Sequence, residues 1–216
     1  MVDSLHLLTK FTHDVWAYPK KKYIYILFLD VKAPFPSVET DCLFHNMKAQ
    51  GVPKEYINWY ELHLKDRTTS LAFDDFESDT FCIQTGLDQG CPISLITFLF
   101  YNTPLIELAG NDKDWLGLGF IINMAFIVQG ETFEKANEKL RKLMEKGGTL
   151  EWSRTHHAEF ELNKMVLICA SSICQPNPQL RGKTTPTPCP PLSIQGTTIW
   201  PTETCKFLGV IIDQEL

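Results

Sequence analysis

The amino-acid sequence predicts an α+β fold, one mostly antiparallel sheet backed by helices. Three observations carry that reading. An uninterrupted apolar and aromatic run, YIYILFL at residues 23–29, ends on a single carboxylate, Asp30. Two later stretches, residues 68–84 and 115–128, each hold two strand-like arms around a short turn. Amphipathic segments of helical spacing lie between them, so helices alternate with hairpins rather than with single parallel strands.

In order along the chain, residues 4–18 place Leu5, Leu8, Phe11, Val15 and Trp16 at helical spacing and predict a first helix. The run at 23–29 does not alternate with polar residues, so it reads as a strand buried on both faces. Lys20, Lys21 and Lys22 end its solvated approach, and Pro34 and Pro36 prevent it from continuing as a central strand. Ser37 is the expected cap of a second helix, with Val38, Cys42, Leu43 and Met47 on one face and Gly51 as its stop. Pro53 opens a third helix over 54–64, whose apolar residues are Tyr56, Ile57, Tyr60 and Leu64.

Arms at 68–73 and 77–84 then predict a hairpin around Asp74 and Asp75. A loop rich in glycine and proline, 85–94, leads into a strongly apolar helix ending near Leu108. Residues 115–128 read as a tight hairpin around Ile122 and Asn123. A long charged helix covers 132–155, interrupted near Gly147 and Gly148, with Glu134, Glu138 and Glu145 paired to Lys and Arg at helical spacing. Residues 160–170 return to strand. The 174–191 stretch holds six prolines and reads as a loop or disordered insertion. Short strands at 192–194, 197–200 and 206–212 complete the chain.

The bulk composition narrows the function classes. With 216 residues, 44% hydrophobic and 21% charged, residues 1–216 suit a single domain with a core of useful size. The net charge of −6, from 20 basic and 26 acidic residues, gives no support to a nucleic-acid partner unless folding builds a local basic surface. Seven cysteines with no C-x-x-C pair point to structural thiols in a reduced, intracellular chain, nuclear or cytoplasmic. No signal peptide is expected, and the longest nearly apolar run, 116–128, is shorter than the roughly 20 residues of a membrane span. A soluble protein without a membrane partner is expected. His156 and His157 have no nucleophile in a recognisable elbow, which argues against a serine or cysteine hydrolase.

Asp30 by itself is either a turn former or a charge held at the mouth of a site. The other motifs bear on that choice. LFLDVKAPFP, the helix ending in Gly51-Val52-Pro53, DRTTSLAF, TGLDQGCPIS, GFIINMAFIV, LNKMVLI and KFLGVIID occur in this order across nearly the whole chain. Together they resemble the reverse transcriptase of non-long-terminal-repeat (LINE-type) retrotransposons, in a degenerate and truncated copy. The resemblance implies a reverse-transcriptase palm with part of the fingers and no thumb, the chain being cut at both ends. On this reading 174–191 is a Pro-rich loop and 192–216 a hairpin like the family's primer grip.

The resemblance also implies chemistry. In the family two Mg2+ ions sit between three aspartates, about 4 Å apart, and organise attack of a primer hydroxyl on a nucleotide along an RNA template. The first aspartate maps onto Asp30, the one metal ligand expected here. The other two form a pair at a hairpin tip, and here the pair is Ile122 and Asn123, neither of them charged. The family pattern after the first aspartate is Asp-Val-x-Gly-Ala-Phe-Asp, against Asp30-Val31-Lys32-Ala33-Pro34-Phe35-Pro36. Phe35 keeps the aromatic that blocks a ribose 2′-hydroxyl, but Pro34 and Pro36 offer no N–H to the triphosphate.

Gln89 and Gly90 match the loop beside nucleotide and template, with Asp88 and Cys91 in place of the usual Pro and Ser. Lys164 matches a lysine that approaches the triphosphate, and Lys206, Phe207, Leu208 and Gly209 match the primer grip. The expectation is a reverse transcriptase-like domain that has lost polymerisation, with productive Mg2+ binding and template and primer affinity weakened or gone. A non-catalytic nucleic-acid or protein binding module and a decayed remnant are the rival readings.

Overall fold

The computed structural model of the chain describes residues 2–17, 22–110, 113–145, 147–176 and 184–214. Tyr18, Lys20, Lys21 and residues 177–183 of the Pro-rich stretch lie outside them. In chain order the first elements are α1 (Val2–Ala17), β1 (Tyr23–Asp30), α2 (Thr40–Ala49) and α3 (Lys54–Leu64). Four short strands follow, β2 (Thr68–Thr69), β3 (Ala72–Phe73), β4 (Phe76–Glu77) and β5 (Phe81–Cys82), and then α4 (Pro92–Glu107). Next come β6 (Trp115–Phe120), β7 (Asn123–Gly130), α5 (Phe133–Met144), α6 (Thr149–Thr155) and β8 (Val166–Ser171). The last are β9 (Cys174–Pro176), β10 (Thr184–Pro186), β11 (Leu192–Ile194), β12 (Thr197–Ile199), β13 (Thr204–Phe207) and β14 (Val210–Asp213).

The fold is α+β, and β1 lies inside its four-stranded sheet, in the order β6-β7-β1-β8 with every pairing antiparallel. The six inner residues of β1 are all buried because each face of the strand meets a separate core. Side chains alternate along a strand, and that alternation sorts them. Tyr25, Leu27 and Leu29 join Met124, Phe126 and Val128 of β7 under the helices α2 to α6. Ile24, Ile26 and Phe28 join Ala125 and Ile127, covered by Leu8 and Val15 of α1 and by Phe207 and Ile212 of the β13–β14 hairpin.

On the helix side, α5 begins at Thr132, whose hydroxyl accepts from Lys135 N, and Phe133 packs on Tyr25 with ring centroids 5.5 Å apart. Helix α4 carries Pro104, which leaves the Phe100 carbonyl without its helical donor. Gln50 Nε2 supplies one at 3.5 Å from the end of α2. Tyr101 ties three helices together, donating to His156 O at 2.5 Å and accepting from Glu39 N at 3.3 Å.

Several local expectations are corrected. Ser37 does not cap α2; the chain is still turning there, with Ser37 N bonded to Ala33 O at 3.1 Å, and Glu39 holds the cap position without a side-chain bond. The 68–84 hairpin forms, but its ladder breaks into β2–β5 and β3–β4 across Ser70-Leu71 and 78–80. The charged segment breaks into two helices at the expected place, and the expected Glu138 and Glu145 pairs form with Lys142 and Arg141. Glu134 instead sits in the first turn of α5, where its backbone and the Thr132 hydroxyl hold its carboxyl below the ordinary range. Only 166–171 of the expected 160–170 strand is regular, because Leu162–Lys164 forms a 3-10 turn.

The described ends of the Pro-rich stretch are more regular than a loop: β9 pairs with β10. Tyr25 Oη donates to Pro190 O at 2.7 Å, and Asn137 Nδ2 donates to Pro191 O at 2.9 Å. Cys169 and Cys189 form a disulfide with Cα atoms 6.3 Å apart, against the expectation of a reduced chain with mostly structural thiols. The returning segment crosses the helix-side face of β8, which brings the two sulfurs together.

Candidate functional site

Asp30 is the last residue of β1, and three neighbours fix where it points. On one side it stands directly opposite Asn123, the first residue of β7. On the other, Glu161 N donates to Asp30 O at 3.0 Å and Lys32 N donates to Glu159 O at 2.8 Å, closing the strand end against the chain entering β8. The 3-10 turn then carries Lys164 Nζ to 3.2 Å from Asp30 Oδ2. Strand alternation puts Asp30 and Asn123 on the face of Phe28 and Ala125, under the β13–β14 hairpin.

A cavity of about 360 Å3 opens there. Asp30, Asn123, Lys164, Lys206 and Phe207 all line it, with Thr202, Thr204 and Cys205 on the rim. Phe28 lines it as well, its ring centroid 4.8 Å from that of Phe207. Burial pushes the Cys205 thiol up to about 11, so it enters this space as a neutral group.

The hairpin tip is a two-residue turn, Ile121-Ile122, one residue earlier than the expected Ile122-Asn123, because Asn123 already pairs with Phe120 in the ladder. Ile121 has φ +56°, a left-handed conformation that is strained for a β-branched residue. Asn102, buried in α4, clamps this turn by donating from Nδ2 to Ile121 O at 2.8 Å. Both isoleucines pack against the helix-side core.

The turn after Asp30 carries a related strain. Ala33, at the glycine position of the family pattern, has φ +44°. Its Cβ makes that region costly where glycine would meet no such penalty. Phe35 is half-buried against Phe98 with ring centroids 5.3 Å apart, and it does not line the cavity beside Asp30. The 85–94 loop docks on this turn through Leu87 N to Phe35 O and Gly86 N to Val38 O, both 2.8 Å. Gly86, at φ +84°, permits the approach, since a Cβ there would stand 2.8 Å from Pro36 O.

Gln89 and Gly90 occupy an exposed turn outside the cavity. Leu208 and Gly209 form the β13–β14 turn, with φ +50° and +81°, also outside its lining. Asp30, Asn123, Lys164, Lys206 and Phe207 therefore converge, whereas Phe35, Ile122, Gln89, Gly90, Leu208 and Gly209 lie around them.

Two features escaped the sequence. One is Asn102, whose only signal is a lone amide inside the apolar helix ITFLFYNTPLIE. The other is the contact set of Arg67, the arginine of the DRTTSLAF motif, whose guanidinium bonds Asp88 Oδ1 at 2.9 Å, Gly86 O at 2.6 Å, Thr85 O at 3.1 Å and Leu64 O at 3.1 Å. His63 Nε2 adds a contact to Asp88 Oδ2 at 2.7 Å. Burial pushes the Asp88 carboxyl up, but the bonds from Arg67 and His63 outweigh it and hold the carboxyl below its ordinary value.

The sequence profile described as Reverse transcriptase (RNA-dependent DNA polymerase) matches residues 4–212. The chain belongs to the reverse transcriptase family. It is 22% identical, over 99% of its length, to the RNA-directed DNA polymerase from mobile element jockey of Drosophila melanogaster. It is 32% identical over 74 residues, 34% of this chain, to the Retrovirus-related Pol polyprotein from type-2 retrotransposable element R2DM of the same species. These likenesses relate it to the reverse transcriptases of non-long-terminal-repeat retrotransposons. The chain spans 22% of the first relative and 7% of the second. Among solved structures, apo telomerase from Candida tropicalis truncated from its C-terminal domain shares the fold, with a TM-score of 0.64 at 15% identity over 98% of this chain and 38% of that one.

The donor set beside Asp30 does not fit the Mg2+ pair of such an enzyme. It holds one carboxylate, already ion-paired to Lys164, and one neutral amide, while Ile122 has no donor atom. Among the described residues no group of three His, Cys, Asp or Glu side chains converges on a metal position.

Proposed function

We propose that this chain is a reverse transcriptase domain that no longer polymerises nucleotides. The single observation that carries the reading is the pairing of Asp30 with Asn123, which sets an amide where the reaction needs a second carboxylate. Catalysis of phosphoryl transfer consists almost wholly of positioning and of stabilising developing charge. With Ile122 and Asn123 uncharged and Asp30 ion-paired to Lys164, nothing at this end of the β1–β7 pair offsets the charge of two divalent cations. Pro34 and Pro36 add to the loss, since the turn next to Asp30 has no N–H at those positions to bind a triphosphate.

The test is primer extension on an RNA template with Mg2+ or Mn2+. No incorporation above an Asp30→Ala control is expected, and template-dependent extension above that control would overturn the proposal. Roles for Phe35, Gln89, Gly90 and the primer-grip residues 206–209 in holding nucleotide, template or primer belong to the same proposal, as does an intracellular location.

One observation favours a binding module as the second reading. Lys206 has no salt bridge among the described residues and shares the cavity with Lys164 and two threonines, so phosphate oxygens would find donors there. Salt-dependent retardation of a primed RNA template that weakens in Lys206→Ala supports it. Retardation equal to that of a neutral control protein excludes it.

A further inference from the structure

The β2–β5 ribbon is an exposed surface that takes no part in lining the cavity beside Asp30. Its four large apolar side chains all face solvent: Leu71 is 56% exposed, Phe73 62%, Phe76 52% and Phe81 46%. Phe73 and Phe76 are cross-strand partners with ring centroids 4.9 Å apart, so they form one aromatic patch near the ribbon tip. Soluble proteins rarely leave such clusters uncovered unless something binds them.

The charge around the patch is one-sided. Residues 68–84 contain Asp74, Asp75, Glu77 and Asp79 and no lysine or arginine. All four acids are exposed, and none forms a salt bridge among the described residues. The basic residue just ahead, Arg67, is spent inward on Asp88 and the 85–86 carbonyls. The ribbon is also open along its sides: β2–β5 and β3–β4 are two-stranded, so each strand has an unpaired edge among the described residues.

We propose that this ribbon docks a separate polypeptide, which adds to its edge as an extended strand of alternating apolar and basic residues. Edge addition supplies backbone hydrogen bonds, and alternation sends the two kinds of side chain to opposite faces. The apolar set covers Leu71, Phe73 and Phe76, while lysines or arginines reach Glu77 on the other face and Asp74 and Asp75 at the turn. A second copy of this chain is a poor occupant because its ribbon brings the same four acids, and a nucleic acid is repelled by them for the same reason.

The test uses the full chain and a fluorescent synthetic peptide alternating valine and lysine, read by polarisation. Saturable binding that weakens with added salt is expected. Phe73→Ser/Phe76→Ser and Asp74→Lys/Asp75→Lys should each weaken it about tenfold or more, equivalent to ~1.4 kcal/mol. Thermal unfolding checks both variants, and if the serine pair fails to fold the charge-reversal pair decides. Equal binding of a valine–glutamate peptide, or unchanged binding by the folded variants, overturns the proposal. So does a dimer of the chain, seen by sedimentation, that Phe73→Ser/Phe76→Ser abolishes, or displacement of the peptide by single-stranded RNA.

Discussion

Asp30 and Asn123 stand directly opposite one another across the β1–β7 ladder, on the face of the sheet that also carries Phe28 and Ala125. A carboxylate and an amide in that relationship can share a hydrogen bond but cannot share a divalent cation on equal terms, since the amide contributes no charge.

Restoring the carboxylates tests this directly. Ile122→Asp/Asn123→Asp should be less stable than the parent without metal, because two carboxylates then face each other across one rung of the sheet. Mg2+ or Mn2+ should reverse that loss, seen as a metal-dependent rise in Tm that the parent chain lacks. Calorimetric titration showing equal metal binding by parent and variant would refute the account of the site.

Arg67 should matter more to stability than the residues that line the cavity beside Asp30. Its side chain is 14% exposed and donates four hydrogen bonds that fasten the 85–88 loop to the end of α3. Arg67→Ala should cost about 1–3 kcal/mol, as expected when hydrogen bonds from a charged group to part-buried acceptors are lost. Arg67→Lys should recover less than half of it, because an ammonium cannot reproduce the planar fork. Urea denaturation measures both.

The fold should weaken in mild acid through His156. Burial lowers its pKa below the ordinary 6.5, partly offset by the Trp152 carbonyl and reinforced by nearby His45. Its Nε2 lies 3.3 Å from Asn46 Nδ2, and its ring stacks on Trp152 at 4.7 Å. The unfolded chain therefore takes up this proton more readily than the folded one. Stability is full above about pH 6.5 and is lost as pH falls from there toward the depressed folded value. A His156→Gln variant should show a shallower decline of Tm over that window, and an unchanged slope would remove His156 as its source.

Reduction should loosen the end of the Pro-rich segment. The Cys169–Cys189 disulfide closes a loop with a sequence separation of 20, a constraint worth ~3 kcal/mol on chain-entropy grounds. Dithiothreitol should lower the Tm of the parent, while Cys169→Ser/Cys189→Ser should start lower and ignore the reductant.

What the sequence revealed follows from the range of the forces involved. β1 and the two arms of the 115–128 hairpin were legible because unbroken apolar runs are local patterns, whereas the turn between the arms fell one residue earlier than read. The nearness of Asp30 to the hairpin tip followed once the motifs were aligned with a family. Arg67 and Asp88 were not legible as a pair, because 21 residues and a hairpin separate them. The Cys169–Cys189 bond was hidden for a like reason: only the return of the Pro-rich segment over β8 brings those sulfurs together. Ser37 misled because a good capping residue was still inside the turn set by Ala33 and the prolines.

The two-sided burial of β1 bears finally on why a lone carboxylate sits at its end. Adjacent positions of this strand belong to different cores, so sliding the chain by one residue would exchange every partner on both faces at once. A slide toward the strand's start would also drag Asp30 into the place of Leu29, which is 4% exposed, and leave an ion without water or metal inside the helix-side core. Asp30 thus acts as a stopper that keeps the central strand in register, a mechanical duty that needs neither nucleotide nor metal.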